Sequence, residues 1–336
     1  MRVGVIDFDS KQVNLATMKL SAFHKAQGDT VVLNPTSPAQ VDKTYCSVLF
    51  SWNREAALRL ADNFSNIEFG GTGFDLTTTL PAEVEAMQPD YDLYSADIIA
   101  SRIKGIMTRE KRMEKAQTIV NAGVGRLSVG CIRGCSFCVV PKKEGKLRRV
   151  AELSSLINPR SKVVTLLDNN ITALPDCVEI LTEAYDRGLI LDLTSGVDLR
   201  LINEEISSIL GKVSHLRSLH YAWDIPGNER AITEGIAILS KSVKKWKHLC
   251  FVLTGFDTTF EEDNYRVRRL TEIGVDPYIM TYKGQGGVTD PFDALRLKHF
   301  ARWINGRIFK KCPDFNDYTN WIKAQTSLGQ MDLLLA

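Results

Sequence analysis

The sequence lacks any apolar run long enough to cross a bilayer. Its longest apolar segments, such as LCFVLTGF at 249–256, fall well short of the roughly 20 residues that a membrane-spanning helix needs. The opening stretch, MRVGVIDFDS, has none of the extended apolar character of a secretory signal and predicts a buried strand instead. We therefore expect no membrane association.

A disulfide framework is also missing. The chain of 336 residues has seven cysteines, an odd number; three of them are clustered, and Cys46, Cys177, Cys250 and Cys312 are scattered. This usage is typical of a reducing compartment and predicts a cytoplasmic protein. There is no fixed-period repeat and no low-complexity segment, and the apolar and charged fractions, 44% and 24%, are those of an ordinary globular chain.

The chain has little net charge, but its charge is unevenly distributed. The total is +2, whereas residues 102–149 contain thirteen Lys or Arg and three acids, a net charge of +10. A local field of this size attracts polyanions, which favours a nucleic-acid or phosphorylated substrate. A solvated helix and loop has the same composition, and that interpretation stays open.

Strand and helix patterns alternate along most of the chain, which predicts an α/β fold. Residues 1–98 predict a small open, doubly wound sheet, residues 99–124 a basic linker, residues 125–285 a partial (β/α)6 core, and residues 286–336 a C-terminal helical extension. The strands expected in the core are 126–130, 162–168, 189–196, 216–224, 248–256 and 276–282. In such curved or closed parallel sheets, ligands bind at the carboxyl ends of the strands.

The segment GCIRGCSFC at 130–138 follows the first predicted strand of that core. It contains Cys131, Cys135 and Cys138, a C-x3-C-x2-C spacing. A structural zinc site needs four ligands, and no fourth Cys or His lies nearby in the sequence. An iron–sulfur cluster held by three thiolates, with one iron left open for another ligand, accounts for the missing fourth residue.

This motif, with Phe137 before its last cysteine, resembles that of the radical S-adenosylmethionine (radical SAM) superfamily. The resemblance covers roughly residues 125–285 and implies a 4Fe–4S cluster on the three cysteines, with SAM chelated at the open iron. It further implies reductive cleavage of SAM to methionine and a 5′-deoxyadenosyl radical that abstracts hydrogen from the substrate. A flavodoxin- or ferredoxin-type protein would supply the electron.

The same resemblance implies further cofactor-binding residues at the ends of later strands. LLDNN at 166–170 stands where the family has Gly-Gly-Glu, facing the SAM amine, and SGVDLRL at 195–201 offers an arginine suited to a carboxylate. FVLTGFDTTFEED at 251–263 resembles the strand and turn that border the adenine, and HYAWD at 220–224 ends a strand with Trp223 and Asp224 on alternate faces, one of them toward the substrate or the SAM ribose. The implied residues are Asp168, Asn169, Asn170, Ser195, Arg200, Asp224 and Gly255. For each polar one, a helix cap or surface loop is the alternative.

The N-terminal segment resembles the cobalamin-binding-like domain that precedes many radical SAM barrels, with a glycine pair in IEFGGTGF at 67–74. In such domains this turn approaches the corrin. The D-x-H-x-x-G signature is absent, and a degenerate domain without cobalamin is the favoured interpretation. Together with VVPKKEG, VDLRL and ARWING, the arrangement resembles a group of bacterial and phage radical SAM proteins, which implies no particular substrate.

Two alternatives remain open from the sequence. One, within the radical SAM class, is a cobalamin-dependent methyltransferase. The other is a non-enzymatic iron–sulfur or zinc module that binds nucleic acid, with the metal as a structural staple. Cys177, Cys250 and Cys312 have no companion cysteines, which argues against an auxiliary cluster and the sulfur-insertion chemistry that consumes one.

Overall fold

The computed structural model describes residues 1–284 and 286–326. The chain divides into two compact units. The first unit comprises Met1–Gly134, Cys138–Asn169 and Asp186–Asp192. The second unit comprises Cys135–Phe137, Asn170–Tyr185 and the described residues from Leu193 onward. The chain therefore passes between the units several times, including twice inside the cysteine motif.

The elements of the first unit begin with a strand–helix–strand order. They are β1 (Arg2–Asp7), α1 (Leu15–Ala26), β2 (Thr30–Leu33), β3 (Lys43–Ser47), α2 (Arg54–Leu58), β4 (Ile67–Gly70), α3 (Ala82–Glu85), α4 (Ala96–Arg102), α5 (Arg109–Asn121), β5 (Gly123–Gly125), β6 (Ser128–Val129), α6 (Val140–Lys143), β7 (Arg148–Arg149) and β8 (Val163–Leu166).

An N-terminal sheet has the strand order β2-β1-β3-β4, and all of its pairs are parallel. Val3 and Val5 of β1 are completely buried, because a strand covered on both faces carries a nearly continuous apolar run. Helix α1 begins at an Asn14 cap, whose side chain accepts hydrogen bonds from the backbone N–H groups of Ala16 and Thr17. The predicted parallel α/β arrangement is confirmed here.

Residues 99–124, predicted as a basic linker, fold into packed helices. Ile99 of α4 and Ala116 and Val120 of α5 are buried in one apolar cluster with Val5 and Met18. Arg109, Lys111 and Lys115 of α5 are exposed, so the charge pattern concealed an apolar stripe of small and branched residues.

Helix α2 is only five residues long, and a short 3-10 turn continues from its end. Asn53, which precedes the helix, makes no capping hydrogen bond and donates instead to the carboxylate of Asp9, at 3.0 Å.

The strand predicted at 126–130 is wrong in position. The parallel strand is β5, which pairs with β8 in the register Gly123↔Val164, and β8 lies between β5 and the strand that begins at Ile190. Two glycines in three residues weaken the strand pattern of β5 in the sequence. Residues 128 and 129 belong to a separate antiparallel ladder, β6 with β7.

The remaining elements continue the alternation of helix and strand. They are α7 (Cys177–Asp186), β9 (Ile190–Leu193), α8 (Glu204–Lys212), β10 (Ser214–His215), β11 (Leu219–Ala222), α9 (Glu229–Leu239), β12 (His248–Thr254), α10 (Phe260–Glu272), β13 (Asp276–Thr281) and α11 (Pro291–Asn305).

In the second unit, β11, β12 and β13 form a parallel sheet in that order. Helix α10 begins at Thr259, which forms a capping box with Glu262. Arg266 of α10 is fully buried and donates to the backbone carbonyls of Trp223, Asp224 and Leu253, so it ties together the carboxyl ends of β11 and β12. The closed barrel implied by the family resemblance stays a prediction.

The aromatic residues of the predicted C-terminal extension pack against one another. Phe300, Trp303, Phe315 and Trp321 are buried and make ring contacts, while Lys298 is exposed. Residues 327–336 of this extension lie outside the described residues. Over 1–284 and 286–326, no helix is both long enough and apolar enough to span a membrane.

A buried ion pair lies at the carboxyl end of β1 in the first unit. Arg102 donates to Asp7 and to the carbonyl of Gln12, and the Asp7 side chain is fully buried. We expect Arg102→Met to lower the free energy of unfolding by about 3 kcal/mol, because it leaves a buried charge without its partner. Urea unfolding followed by circular dichroism measures the loss.

The matched control is Arg160→Met. Arg160 pairs with Asp92 at 2.8 Å, but both side chains are largely exposed. Its loss should cost no more than about 1 kcal/mol. Equal effects of the two substitutions would contradict the role given to Arg102.

Candidate functional site

The cysteine motif lies on a loop whose two ends are held together at a neck, formed by the β6/β7 ladder and Gly130. The β6/β7 ladder pairs Ser128 with Arg149 and Val129 with Arg148. Just beyond the ladder, Gly130 has a φ of +81°, and a Cβ placed on it would lie 2.3 Å from the carbonyl oxygen of Lys146. Only glycine fits this close backbone approach. The two ends of the loop are thereby held side by side.

The carboxylate of Glu144 connects three parts of this neck. One oxygen accepts from Arg126 at 2.5 Å, and the other accepts from the backbone N–H of Gly130 at 2.9 Å and from Asn169 Nδ2 at 2.6 Å. Burial works to raise the pKa of Glu144, but the Gly130 hydrogen bond and the Arg126 charge outweigh it and lower the pKa. Glu144 is therefore a charged acceptor beside the first cysteine.

Asp168 accepts hydrogen bonds from the segment that leads into the loop. Its carboxylate accepts from the backbone N–H groups of Leu127 and Ser128, at 3.1 and 2.6 Å, and from the Ser128 hydroxyl at 2.6 Å. Burial raises the pKa of Asp168, although these hydrogen bonds oppose the rise. The contacts made by this side chain are with β6 and the residue before it, and its predicted role toward SAM stays a prediction.

Cys131, Cys135 and Cys138 are all half-buried. The backbone N–H of Arg133 donates to Cys131 Sγ at 3.4 Å, the kind of contact that stabilises a metal-bound thiolate. Within the described ranges, no group of three His, Cys, Asp or Glu side chains is already gathered as a metal site. Three thiols on one glycine-hinged loop fit an iron–sulfur cluster whose binding completes the loop.

Arg200, Asp198 and Cys135 come together in the second unit. Arg200 binds Asp198 with two nearly parallel hydrogen bonds, 2.7 Å from Nε and 3.0 Å from Nη2. Burial works to lower the pKa of Arg200, but the hydrogen bond and charge of Asp198, then the charges of Cys135 and Asp224, raise it. A guanidinium thus lies within electrostatic range of the second cysteine of the motif.

Asn170 belongs to the same polar group. Its Nδ2 donates to Asp198 at 3.3 Å, and its Oδ1 accepts from the hydroxyl of Thr172 at 2.9 Å. The backbone N–H of Asp198 in turn donates to the Thr172 hydroxyl at 3.0 Å. Both polar ends of the Asn170 amide are therefore engaged within the protein.

The other predicted site residues lie at strand ends or on the motif. Phe137 contacts Phe256 edge to face, with ring centroids 5.8 Å apart. Asp224 follows β11 and accepts from the backbone N–H of Leu253 at 3.2 Å; burial raises its pKa. Gly255 follows β12 at a φ of +75°. Ser195 is exposed in the turn after β9.

Sequence reasoning missed Glu144, Asp198 and Arg266. Glu144 carried a usable signal, since it is one of three acids in a segment with thirteen cations. Asp198 stands two residues before Arg200, a spacing that often returns a side chain to its own turn. Arg266 looks like an ordinary helix cation, and only the fold reveals its burial.

No protein-family model matches this chain, and no curated protein matches it. Among solved structures it is similar to Streptococcus suis SuiB bound to precursor peptide SuiA, with 14% identity and a TM-score of 0.37 over 61% of this chain and 53% of that one. The structure of SuiB bound to S-adenosylmethionine is 13% identical, with a TM-score of 0.36 over 61% of this chain and 52% of that one. The chain thus spans about half of the length of the solved chains it matches.

The N-terminal sheet fits cobalamin poorly. The glycine turn after β4 packs on the chain that follows β3: a Cβ on Gly71 would lie 2.3 Å from the carbonyl oxygen of Val48, and one on Gly73 would lie 2.3 Å from the backbone nitrogen of Phe50. The close approach that these glycines allow is thus used by the protein's own backbone.

The carboxyl ends of β1 and β3, where a doubly wound sheet binds ligands, are filled as well. Asp7, Asn14, Ser47 and Tyr94 form a buried hydrogen-bonded group there. His24, the one histidine among the first 200 residues, is bound to Asp29 at 2.8 Å and to Tyr45 at 3.2 Å. It is therefore engaged and not presented as an axial ligand.

We expect the purified protein not to bind cobalamin, because the space for it is taken by buried side chains and backbone. Equilibrium dialysis against hydroxocobalamin, read by absorbance, should leave the corrin equally distributed across the membrane. Saturable retention of one corrin per chain would contradict this reading of the N-terminal sheet.

Proposed function

We propose that this protein is a radical SAM enzyme that acts without cobalamin. The observation that carries the proposal is the C-x3-C-x2-C motif on a loop closed at its neck, with an aromatic residue before its last cysteine. Cys131, Cys135 and Cys138 would hold a 4Fe–4S cluster, which when bound supplies the electron that cleaves SAM into methionine and a 5′-deoxyadenosyl radical.

The protein's own contribution is to bind SAM and orient it. Arg200, whose Nε edge is held by Asp198, offers its remaining donors to an anionic group near Cys135. Asn169 offers an acceptor to a cationic group near Cys131. A guanidinium suits a carboxylate and an amide oxygen suits an ammonium group, and these are the two ionic groups of an amino acid. Phe137 packs against Phe256, which fixes the position of its ring beside Cys138.

We further propose that the substrate is anionic, a nucleic acid or a phosphorylated compound. Some cations of the 102–149 segment are neutralised by acids, as in the Arg126–Glu144 and Arg149–Glu152 pairs. Others are exposed: Lys104, Arg109, Lys111, Lys115, Lys142, Lys146 and Arg148. Those after Cys138 follow the cysteine motif directly in the chain, which supports steering of an anion toward it.

The competing function is a non-enzymatic module that binds nucleic acid, in which a bound metal only stabilises the loop. The exposed cations after Cys138 favour it as much as they favour an enzyme with an anionic substrate. Metal content separates the two: one zinc and no iron per chain supports the module, and about four irons per chain supports the enzyme.

The cysteine motif should be essential for SAM cleavage. Protein reconstituted with iron and sulfide without oxygen, then given SAM and dithionite, should form 5′-deoxyadenosine, measured by mass spectrometry. Cys131→Ala, Cys135→Ala and Cys138→Ala should each abolish it, since each loss opens a second iron position. The matched control is Cys312→Ala, a half-buried cysteine outside the motif, which should leave the product unchanged.

Retention of activity in any of the three motif variants would contradict the assignment. If the wild type carries a reducible cluster but forms no 5′-deoxyadenosine with or without candidate substrates, the result favours the binding module over the enzyme.

Affinity for an anionic polymer should fall with salt. For three phosphate contacts, raising the salt from about 50 to 200 mM should weaken binding of a single-stranded oligonucleotide on the order of tenfold, because bound counterions are released. Fluorescence anisotropy measures it. The double substitution Lys142→Ala with Lys146→Ala should make the Kd depend less steeply on salt. The control is Lys245→Ala, which removes an exposed lysine outside the segment and should leave the salt dependence unchanged. A flat salt dependence in the wild type would contradict an anionic substrate.

A further inference from the structure

We infer that Glu144 is a positioning residue that fixes the amide of Asn169 so that its oxygen, not its nitrogen, is presented to a cationic ligand. This rests on the proposed function, since the ligand it would serve is the ammonium group of SAM.

The orientation of this amide follows from its neighbours. Asn169 Nδ2 lies 2.6 Å from a carboxylate oxygen of Glu144 and 3.5 Å from the carbonyl oxygen of Gly130. Both neighbours accept hydrogen bonds and cannot donate, so the nitrogen of the amide must face them. The oxygen must therefore face the other way.

That oxygen remains available for a ligand. Among residues 1–284 and 286–326, none donates a hydrogen bond to Asn169 Oδ1, although the residue is half-buried. The neighbouring Asn170 differs, because Thr172 already donates to its Oδ1. Of the two adjacent amides, Asn169 is thus the one that presents an acceptor.

Glu144 also connects this acceptor to the cysteine motif. The carboxylate oxygen that binds Asn169 Nδ2 also accepts the backbone N–H of Gly130, at 2.9 Å, and Gly130 immediately precedes Cys131. A single oxygen atom therefore sets the position of the acceptor relative to the start of the loop. Residues that orient a binding group in this way commonly change affinity by about 10- to 100-fold when removed.

Two single substitutions test the carboxylate itself. Glu144→Ala removes both hydrogen bonds and lets the amide flip, so the Kd for SAM should rise about tenfold in reconstituted protein. Glu144→Gln should rescue most of this loss. Its amide oxygen still accepts from Gly130 and Asn169, while Arg126, about a third exposed, turns to water. Isothermal titration calorimetry with SAM, at measured iron content, gives both values.

The decisive variant is the double substitution Glu144→Ala with Asn169→Asp. A carboxylate at position 169 presents an oxygen in either orientation, so it no longer needs Glu144 to orient it. We expect the double variant to bind SAM nearly as well as the wild type. Asn169→Asp alone should bind more weakly than the double variant, because two carboxylates then face each other. The four proteins form a double-mutant cycle.

A measurement on the metal-free protein separates this inference from the proposed function. Hydrogen exchange at the Gly130 amide should be faster in Glu144→Ala than in the wild type, because its acceptor is gone, with Glu152→Ala as the control for an exposed acid. A wild type that binds no SAM would overturn the proposed function and with it the ligand. Normal SAM binding by Glu144→Ala, or no recovery in the double variant, would overturn the role of Glu144 alone.

Discussion

The hydrogen bonds of the Glu144 carboxylate are the constraint on which the cysteine loop depends. Closing a flexible loop costs conformational entropy, and three thiolates on an open loop would have to bear that cost while binding metal. Contacts within the protein already hold the two ends of the loop together. They are the β6/β7 ladder, the close backbone approach at Gly130 and the hydrogen bond from Gly130 to Glu144. Metal ligands in the loop then start from a restricted set of positions.

The alternation of strands and helices could be predicted because it follows from burial, which leaves a periodic mark. β12 alternates buried and half-buried residues, and the predicted strand, 248–256, exceeds it by two residues, which begin at Gly255 with its positive φ. β5 could not be placed in this way. Its three residues are buried but include two glycines, so they carry almost no strand signal.

The polar contacts of the site could not be predicted, because each joins residues far apart in the chain. Asp168 binds the backbone of Leu127 and Ser128, about forty positions earlier, and Asp198 receives Asn170 from 28 positions away. A sequence shows which residues can donate or accept, but the fold decides which pairs meet. The candidate residues were thus identifiable by type, whereas their roles depend on partners that the sequence does not mark.

Asn169 and Asn170 are neighbours of the same type whose side chains have different hydrogen-bond partners and therefore different roles. The two are adjacent and chemically identical, and the boundary between the two compact units falls between them. Each donates its Nδ2 to a carboxylate of its own unit, Glu144 for the first and Asp198 for the second. The difference lies at the oxygen, which accepts from Thr172 only in Asn170. Asn169 is half-buried, and no residue of the described ranges donates to its oxygen, so this amide can accept from a cationic ligand whereas that of Asn170 is already filled.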